Sequence, residues 1–253
     1  MSPLYRADQL PDTPPGGGWL IKPFIPVEGI VLLYGKKGVG KSPLTWALAH
    51  AVATGTPWLG YPAQDKGIVL YIEVDTPVPV VSPRMKPVMG QDLDIHIYFP
   101  PGSIADHDGW KRLQAETKEC TPKLVIVNTL RKVHVGDDTK STIPSLVYSR
   151  FRFQWPHACI VFVHHEKKTP SNPEHGFSSG EEFSGSLAWA NDAQVVLRLW
   201  RHRGRPNEKE GRETILSMTG NQLAPLEEPI RFYLKGGLVE NRIAPKTSQN
   251  TVY

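Results

Sequence analysis

The stretch Ile30-Val31-Leu32-Leu33-Tyr34-Gly35-Lys36-Lys37-Gly38-Val39-Gly40-Lys41-Ser42 leaves this chain few ways to fold. A short apolar run ends in glycine, a loop follows, and Lys-Ser opens a segment with the composition of a helix. The pattern G-x-x-x-x-G-K-[ST] is met by Gly35, Gly40, Lys41 and Ser42. Such a loop turns successive backbone N–H groups inward around a triphosphate, which needs glycine where the backbone leaves the usual conformations. Lys41 is expected to reach the β- and γ-phosphates and the Ser42 hydroxyl to join the Mg²⁺ shell. The helix after Ser42 points its positive end at the same phosphates. Residues Gly35, Lys36, Lys37, Gly38, Val39, Gly40, Lys41, Ser42 and Pro43 are therefore the expected ATP-binding segment. A strand before and a helix after distinguish it from a glycine turn that matches by accident.

A chain of 253 residues that is 40% hydrophobic has the material for one α/β domain with decorations, or two small ones. The net charge of +4 permits a polyanionic partner without requiring one. Cys120 and Cys159 are far apart and lack metal-ligand spacing, so they read as thiols in a reducing compartment. Residues 1–18 are polar and rich in Pro and Gly, unlike a signal peptide, and read as a flexible leader. No apolar run approaches the ~20 residues of a membrane span, so no membrane association and a cytoplasmic location are expected.

Trp19–Pro26 is apolar but broken by prolines, and reads as an edge segment laid over the core. Strands are expected at 30–34, 67–72, 95–99, 123–128, 158–165 and 193–199. Helices are expected at 42–54, ended by Gly55, and at 106–119 and 143–154. Residues 76–90 carry four prolines and Arg84, and would be a helix in a less proline-rich chain. Segments 214–218 and 230–234 read as a terminal antiparallel pair, and 241–253 as a polar tail. Apolar strands alternating with helices predict a mostly parallel sheet with helices on both faces, ending in an antiparallel extension. Ligands on such sheets sit beyond the carboxyl ends of the strands, so the residues there matter most.

An ATPase needs a carboxylate for the Mg²⁺ shell, usually at the end of an apolar strand. The run Leu124-Val125-Ile126-Val127 is that strand, yet it ends in Asn128. An amide brings no negative charge and cannot accept a proton. Asn128 and Ser42 are the candidate metal-shell residues. Glu73 and Asp75 end the strand that follows the phosphate loop in sequence, and either is a candidate to activate water; spacing does not choose between them. His164 and His165 end another strand, where a histidine could sense the γ-phosphate or simply pack. Residues 166–185 form a long polar stretch in which Lys167 and Lys168 offer positive charge to a nucleic acid. Arg198, Arg201, Arg203 and Arg205 cluster in one segment, where one could act as a finger on a neighbour's γ-phosphate or contact nucleic acid.

Together these pieces resemble the RecA-like ATPases, most of all the short single-domain ATPases of plasmids and phages related to plasmid replicative helicases. The resemblance runs from Trp19 to about residue 235. It rests on "W-L-I-x-x-x-I-P-x-G", the phosphate loop, "V-L-Y-I-E-V-D", Arg84, "L-V-I-V-N-T-L", "V-F-V-H-H-E-K-K", "F-S-G-S-L-A" and "V-V-L-R-L" in that order. It implies a RecA-like domain over 19–240 that binds ATP and Mg²⁺, assembles as a homo-oligomer such as a hexamer, and acts on single-stranded DNA. It implies a catalytic glutamate where Asp75 stands and an aspartate where Asn128 stands. It makes His165 the residue coupling γ-phosphate to DNA, and Arg201 and Arg203 the pair acting across subunits. The departures at Asp75 and Asn128 leave a second expectation open, a nucleotide-dependent adaptor that hydrolyses slowly. A small-molecule kinase fits the arginine-bearing segment after residue 190 less well.

Overall fold

Residue parity along the strand Gly29–Gly35 sets the architecture, because all seven of its residues are buried. Ile30, Leu32 and Tyr34 join one apolar cluster, while Val31 and Leu33 join another on the opposite face. A strand buried on both faces needs helices on both, and the computed structural model has them. It describes residues 6–9, 18–90, 93–136, 140–166, 187–201, 212–225, 228–235 and 238–240. Most of the expected leader, and all of the expected tail, lie outside them.

In chain order the elements are β1 Trp19–Ile21, β2 Ile25–Pro26, β3 Gly29–Gly35, α1 Lys41–Thr54, β4 Val69–Glu73, α2 Val78–Met89, β5 Ile95–Tyr98, α3 His107–Glu116, β6 Leu124–Asn128, α4 Thr142–Gln154, β7 Cys159–His165, α5 Ala188–Asn191, β8 Val195–Arg201, β9 Arg212–Asn221, β10 Ile230–Lys235 and β11 Leu238–Glu240. The main sheet runs β11-β10-β9-β8-β3-β7-β6-β4-β5. From β8 to β5 every neighbouring pair is parallel. The strands β8, β9, β10 and β11 pair antiparallel, which is the expected extension. Helices α1 and α2 pack on one face with the β1–β2 pair, and α3, α4 and α5 on the other.

The prolines of residues 76–90 do not prevent a helix. Pro77 is its N-cap, Pro79 lies in the first turn, and Pro83 and Pro87 lie inside. Positions 79, 83 and 87 share one face, and all three are exposed, while Val81, Met85 and Met89 are buried. The carbonyls that lose a donor therefore face water, which supplies the missing hydrogen bonds. The Trp19–Pro26 segment is not an edge of the main sheet. It pairs with itself, and Leu20, Ile21, Phe24 and Ile25 are at most 1% exposed.

Helix α1 is buried nearly all round, with Trp46 at 1% and Ala49 at 0% exposure. Its first intrahelical bond runs from Leu44 N to Gly40 O, so Pro43 falls before any intrahelical donor is needed. Gly55, at φ 77°, closes the helix by donating to Ala51 O. Helix α3 starts where the Asp106 carboxylate accepts from Gly109 N at 2.8 Å. One edge of the parallel block is β5, which accounts for its less complete burial.

Candidate nucleotide site

The carboxyl ends of β3, β7, β6 and β4 lie side by side; β7, β6 and β4 end in His165, Asn128 and Glu73, while β3 runs into the glycine loop. Gly38 at φ 77° and Gly40 at φ 110° adopt conformations that only glycine takes without strain. Gly35 is required for a different reason. A Cβ there would run into the backbone oxygen of Leu199 on β8. Lys36, Lys37 and Gly38 are exposed at the loop tip, whereas the Val39 side chain is buried and anchors the loop to the core. The N–H groups at the helix start come from Lys41 and Ser42, because Pro43 has none.

Lys41 folds back over its own loop. Its Nζ donates to Gly35 O at 2.8 Å and to Lys36 O at 3.0 Å, and lies 3.4 Å from His165 Nδ1. Burial lowers the Lys41 pKa to about 8, opposed by the negative charges of Glu166 and Asp75. His165 is also shifted downward, first by burial and then by the Lys41 charge, which suits a neutral ring accepting from the ammonium. Parity separates the two histidines. His165 follows Cys159, Val161 and Val163 onto the α1 face, while His164 points to the other face, 6.0 Å from the Trp189 ring.

Glu73 and Asn128 are register partners across β4 and β6. Both are buried, at 2% and 4% exposure. Asn128 Nδ2 donates to Glu73 Oε2 at 2.7 Å and lies 3.5 Å from Ser42 Oγ. Glu73 Oε1 accepts from Asp75 N and Thr76 N, both at 3.0 Å, so it also ties down the loop after β4. Burial raises the Glu73 pKa against the pull of these three donors. Asp75 lies beyond the strand, 44% exposed, in an ion pair with Lys132 at 3.1 Å. The two acids therefore do not share a strand face, as period-2 spacing suggested. Glu73 is internal and Asp75 reaches outward, close enough to Lys41 and His165 to act on their charges.

Lys41, Ser42, Glu73, Asn128 and His165 are thus brought together, with Asp75 at the rim. Arg201 ends β8, partly buried, and is shifted downward by burial and by Arg212. Arg198 pairs with Glu166 at 2.9 Å, partly buried beside the end of β7. Arg203, Arg205, Lys167 and Lys168 lie outside the described residues, as do Ser184, Gly185 and Ser186. Two participants escaped the sequence reading. Glu166 follows the His-His pair and donates its N–H to Gly35 O at 3.2 Å; its position directly after an apolar strand was the available signal. Lys132 carries no comparable signal, since its partner comes from another strand-end loop. The oxygens of Ser42, Glu73 and Asn128 are hard donors that suit Mg²⁺, which takes one or two carboxylates plus water and phosphate.

A family model described as "AAA domain" matches residues 2–171. A search of curated proteins finds no match. Among solved structures, "ATPase Domain of G40P" superposes with a TM-score of 0.64 at 10% identity, covering 84% of each chain. A second, "The Structure Of A DnaB-Like Replicative Helicase And Its Interactions With Primase", gives 0.65 at 10% identity. It covers 85% of this chain, which spans 57% of the other. At this identity the likeness is one of fold, and it agrees with the RecA-like sheet order and phosphate loop described above. The family match spans more than half of the sequence, and the chain accordingly belongs to the AAA domain family, in its RecA-like P-loop form.

Proposed function

We propose that this protein is an oligomeric ATPase that binds ATP with Mg²⁺ and acts on DNA in the manner of a replicative helicase. The observation that carries the reading is the convergence of Lys41, Ser42, Glu73, Asn128 and His165 at the carboxyl ends of four neighbouring strands. Lys41 and the loop N–H groups would bind the triphosphate, and Ser42 would face the cation beside the Glu73–Asn128 pair. A divalent cation held there would supply neutralisation of phosphate charge. Asp75, at the rim, would hold or deprotonate the attacking water. His165, already against Lys41, would register whether the lysine has moved to a phosphate. Arg201 and Arg203 would act on the site of an adjacent subunit, and Lys167 and Lys168 on single-stranded DNA. Among the described residues no helix is long and apolar enough to cross a membrane.

The amide at Asn128 favours a second reading, an adaptor that binds ATP, assembles and recruits a partner with little turnover. Steady-state hydrolysis with and without single-stranded DNA separates the two, alongside particle size measured with a non-hydrolysable analogue. DNA-stimulated hydrolysis that Lys41→Ala abolishes supports the ATPase; ATP-dependent assembly without turnover supports the adaptor. A Lys41→Ala variant that holds ATP as firmly as the wild type overturns both.

A further inference from the structure

The carboxylate expected at position 128 is an amide, and the site's buried carboxylate stands one strand over. Glu73 and Asn128 face each other as register partners, 2.7 Å apart from Oε2 to Nδ2. The same Nδ2 lies 3.5 Å from the Ser42 hydroxyl. Burying a carboxylate is costly unless it is well hydrogen-bonded, and Glu73 at 2% exposure has three N–H donors. Its two oxygens divide the work. Oε1 takes both backbone N–H groups of the following loop, which would suffice for a structural clamp. Oε2 is turned instead to the Asn128 amide, whose Nδ2 also lies 3.5 Å from the Ser42 hydroxyl. An aspartate at 128 would set two carboxylates against each other at hydrogen-bonding distance, so the acid at 73 and the amide at 128 belong together.

We propose that the negative charge serving the divalent cation of a bound nucleotide has moved from β6 to β4, with Glu73 carrying it and Asn128 acting as the positioning residue that orients it. The inference rests on the nucleotide-binding reading of the site. It accounts for a site whose metal-facing aspartate is missing while its charge is retained. It also narrows the adaptor reading, since the amide at 128 then no longer implies a weak hold on the cation.

The test is a fluorescent-ATP titration of the full chain in Mg²⁺ and in EDTA, with thermal melts of every variant. The wild type is expected to bind at least tenfold more tightly in Mg²⁺. Glu73→Gln is expected to bring the two Kd values within threefold of each other while leaving the EDTA value within threefold of wild type. The double variant Glu73→Gln/Asn128→Asp keeps the same hydrogen bond with donor and acceptor exchanged, and is expected to restore at least fivefold Mg²⁺ dependence. If Glu73→Gln does not fold, this exchanged pair decides alone. The proposal is overturned if Glu73→Gln keeps the wild-type Mg²⁺ dependence. It is also overturned if that variant weakens EDTA binding equally, or if the exchanged pair shows no Mg²⁺ dependence. Tight wild-type binding that ignores Mg²⁺ defeats the proposal and leaves the nucleotide reading standing. No wild-type binding in either condition defeats both.

Discussion

Alanine substitutions at the three glycines of the phosphate loop should rank in an order that the motif alone does not give. At Gly35 the added Cβ meets the Leu199 carbonyl oxygen, and Val39 Cγ1 stands 3.3 Å away. Neither side-chain rotation nor a change in φ relieves a clash with backbone. The ends of β3 and β8 must part, and Gly35–Leu199 is the last registered pair between them. Overpacking costs about 1–3 kcal/mol. One weakened ladder hydrogen bond adds about 1 kcal/mol. The total of about 2–4 kcal/mol corresponds to a melting point lower by about 5–15 °C for a domain of this size. Gly40→Ala strains a residue at φ 110° but meets only the flexible end of Leu234, so it should fall between. Gly38→Ala has nothing within 4 Å and only its φ of 77° to overcome, costing about 1–2 kcal/mol. Thermal unfolding followed by circular dichroism measures all three. A Gly35→Ala variant that melts within 2 °C of wild type, or above Gly38→Ala, would refute the backbone-clash reasoning.

Other substitutions test separate parts of the structure. Tyr148→Phe removes the 2.8 Å bond to the buried Trp189 carbonyl and should cost about 1–2 kcal/mol in chemical denaturation. Asp106→Ala strips the α3 cap and should cost about 1 kcal/mol without changing nucleotide affinity. Burial pushes both thiols upward, completely so for Cys159. A thiol reagent at pH 8 should therefore label Cys120 first, and Cys159 only as the chain unfolds; equal rates in the native protein would contradict the fold. His165 is held below its ordinary value, so the unfolded chain binds its proton first as pH falls. Its contribution is full above the unfolded value of about 6.5 and is lost as pH falls below that. His165→Asn should flatten the stability–pH profile over that window, and an unchanged slope would count against the burial of His165 beside Lys41.

Much of the fold was legible because buried parallel strands are written as unbroken apolar runs, and β3, β4, β6 and β7 fall within two residues of their expected bounds. Strand order was not. Chain order puts β4 next after β3, yet β7 and β6 lie between them, so the pairing of Glu73 with Asn128 had no trace in the sequence. Period-2 parity does distinguish His165 from His164 once the face carrying α1 is known. The same parity misled at Glu73 and Asp75, because β4 stops at Glu73 and its carboxylate turns the chain outward. In residues 76–90, proline count argued against the helix while proline spacing allowed it. Only the buried partners of Val81, Met85 and Met89 decide which counts. Arg198 looked equivalent to its neighbours until its internal acid was seen.

One carbonyl oxygen carries a last consequence. Gly35 O receives both the Lys41 ammonium and the Glu166 N–H, and Glu166 opens the stretch that bears Lys167 and Lys168. The phosphate-motif loop and the residue that opens a long polar stretch therefore share one acceptor atom, so any displacement of Gly35 O strains both contacts at once.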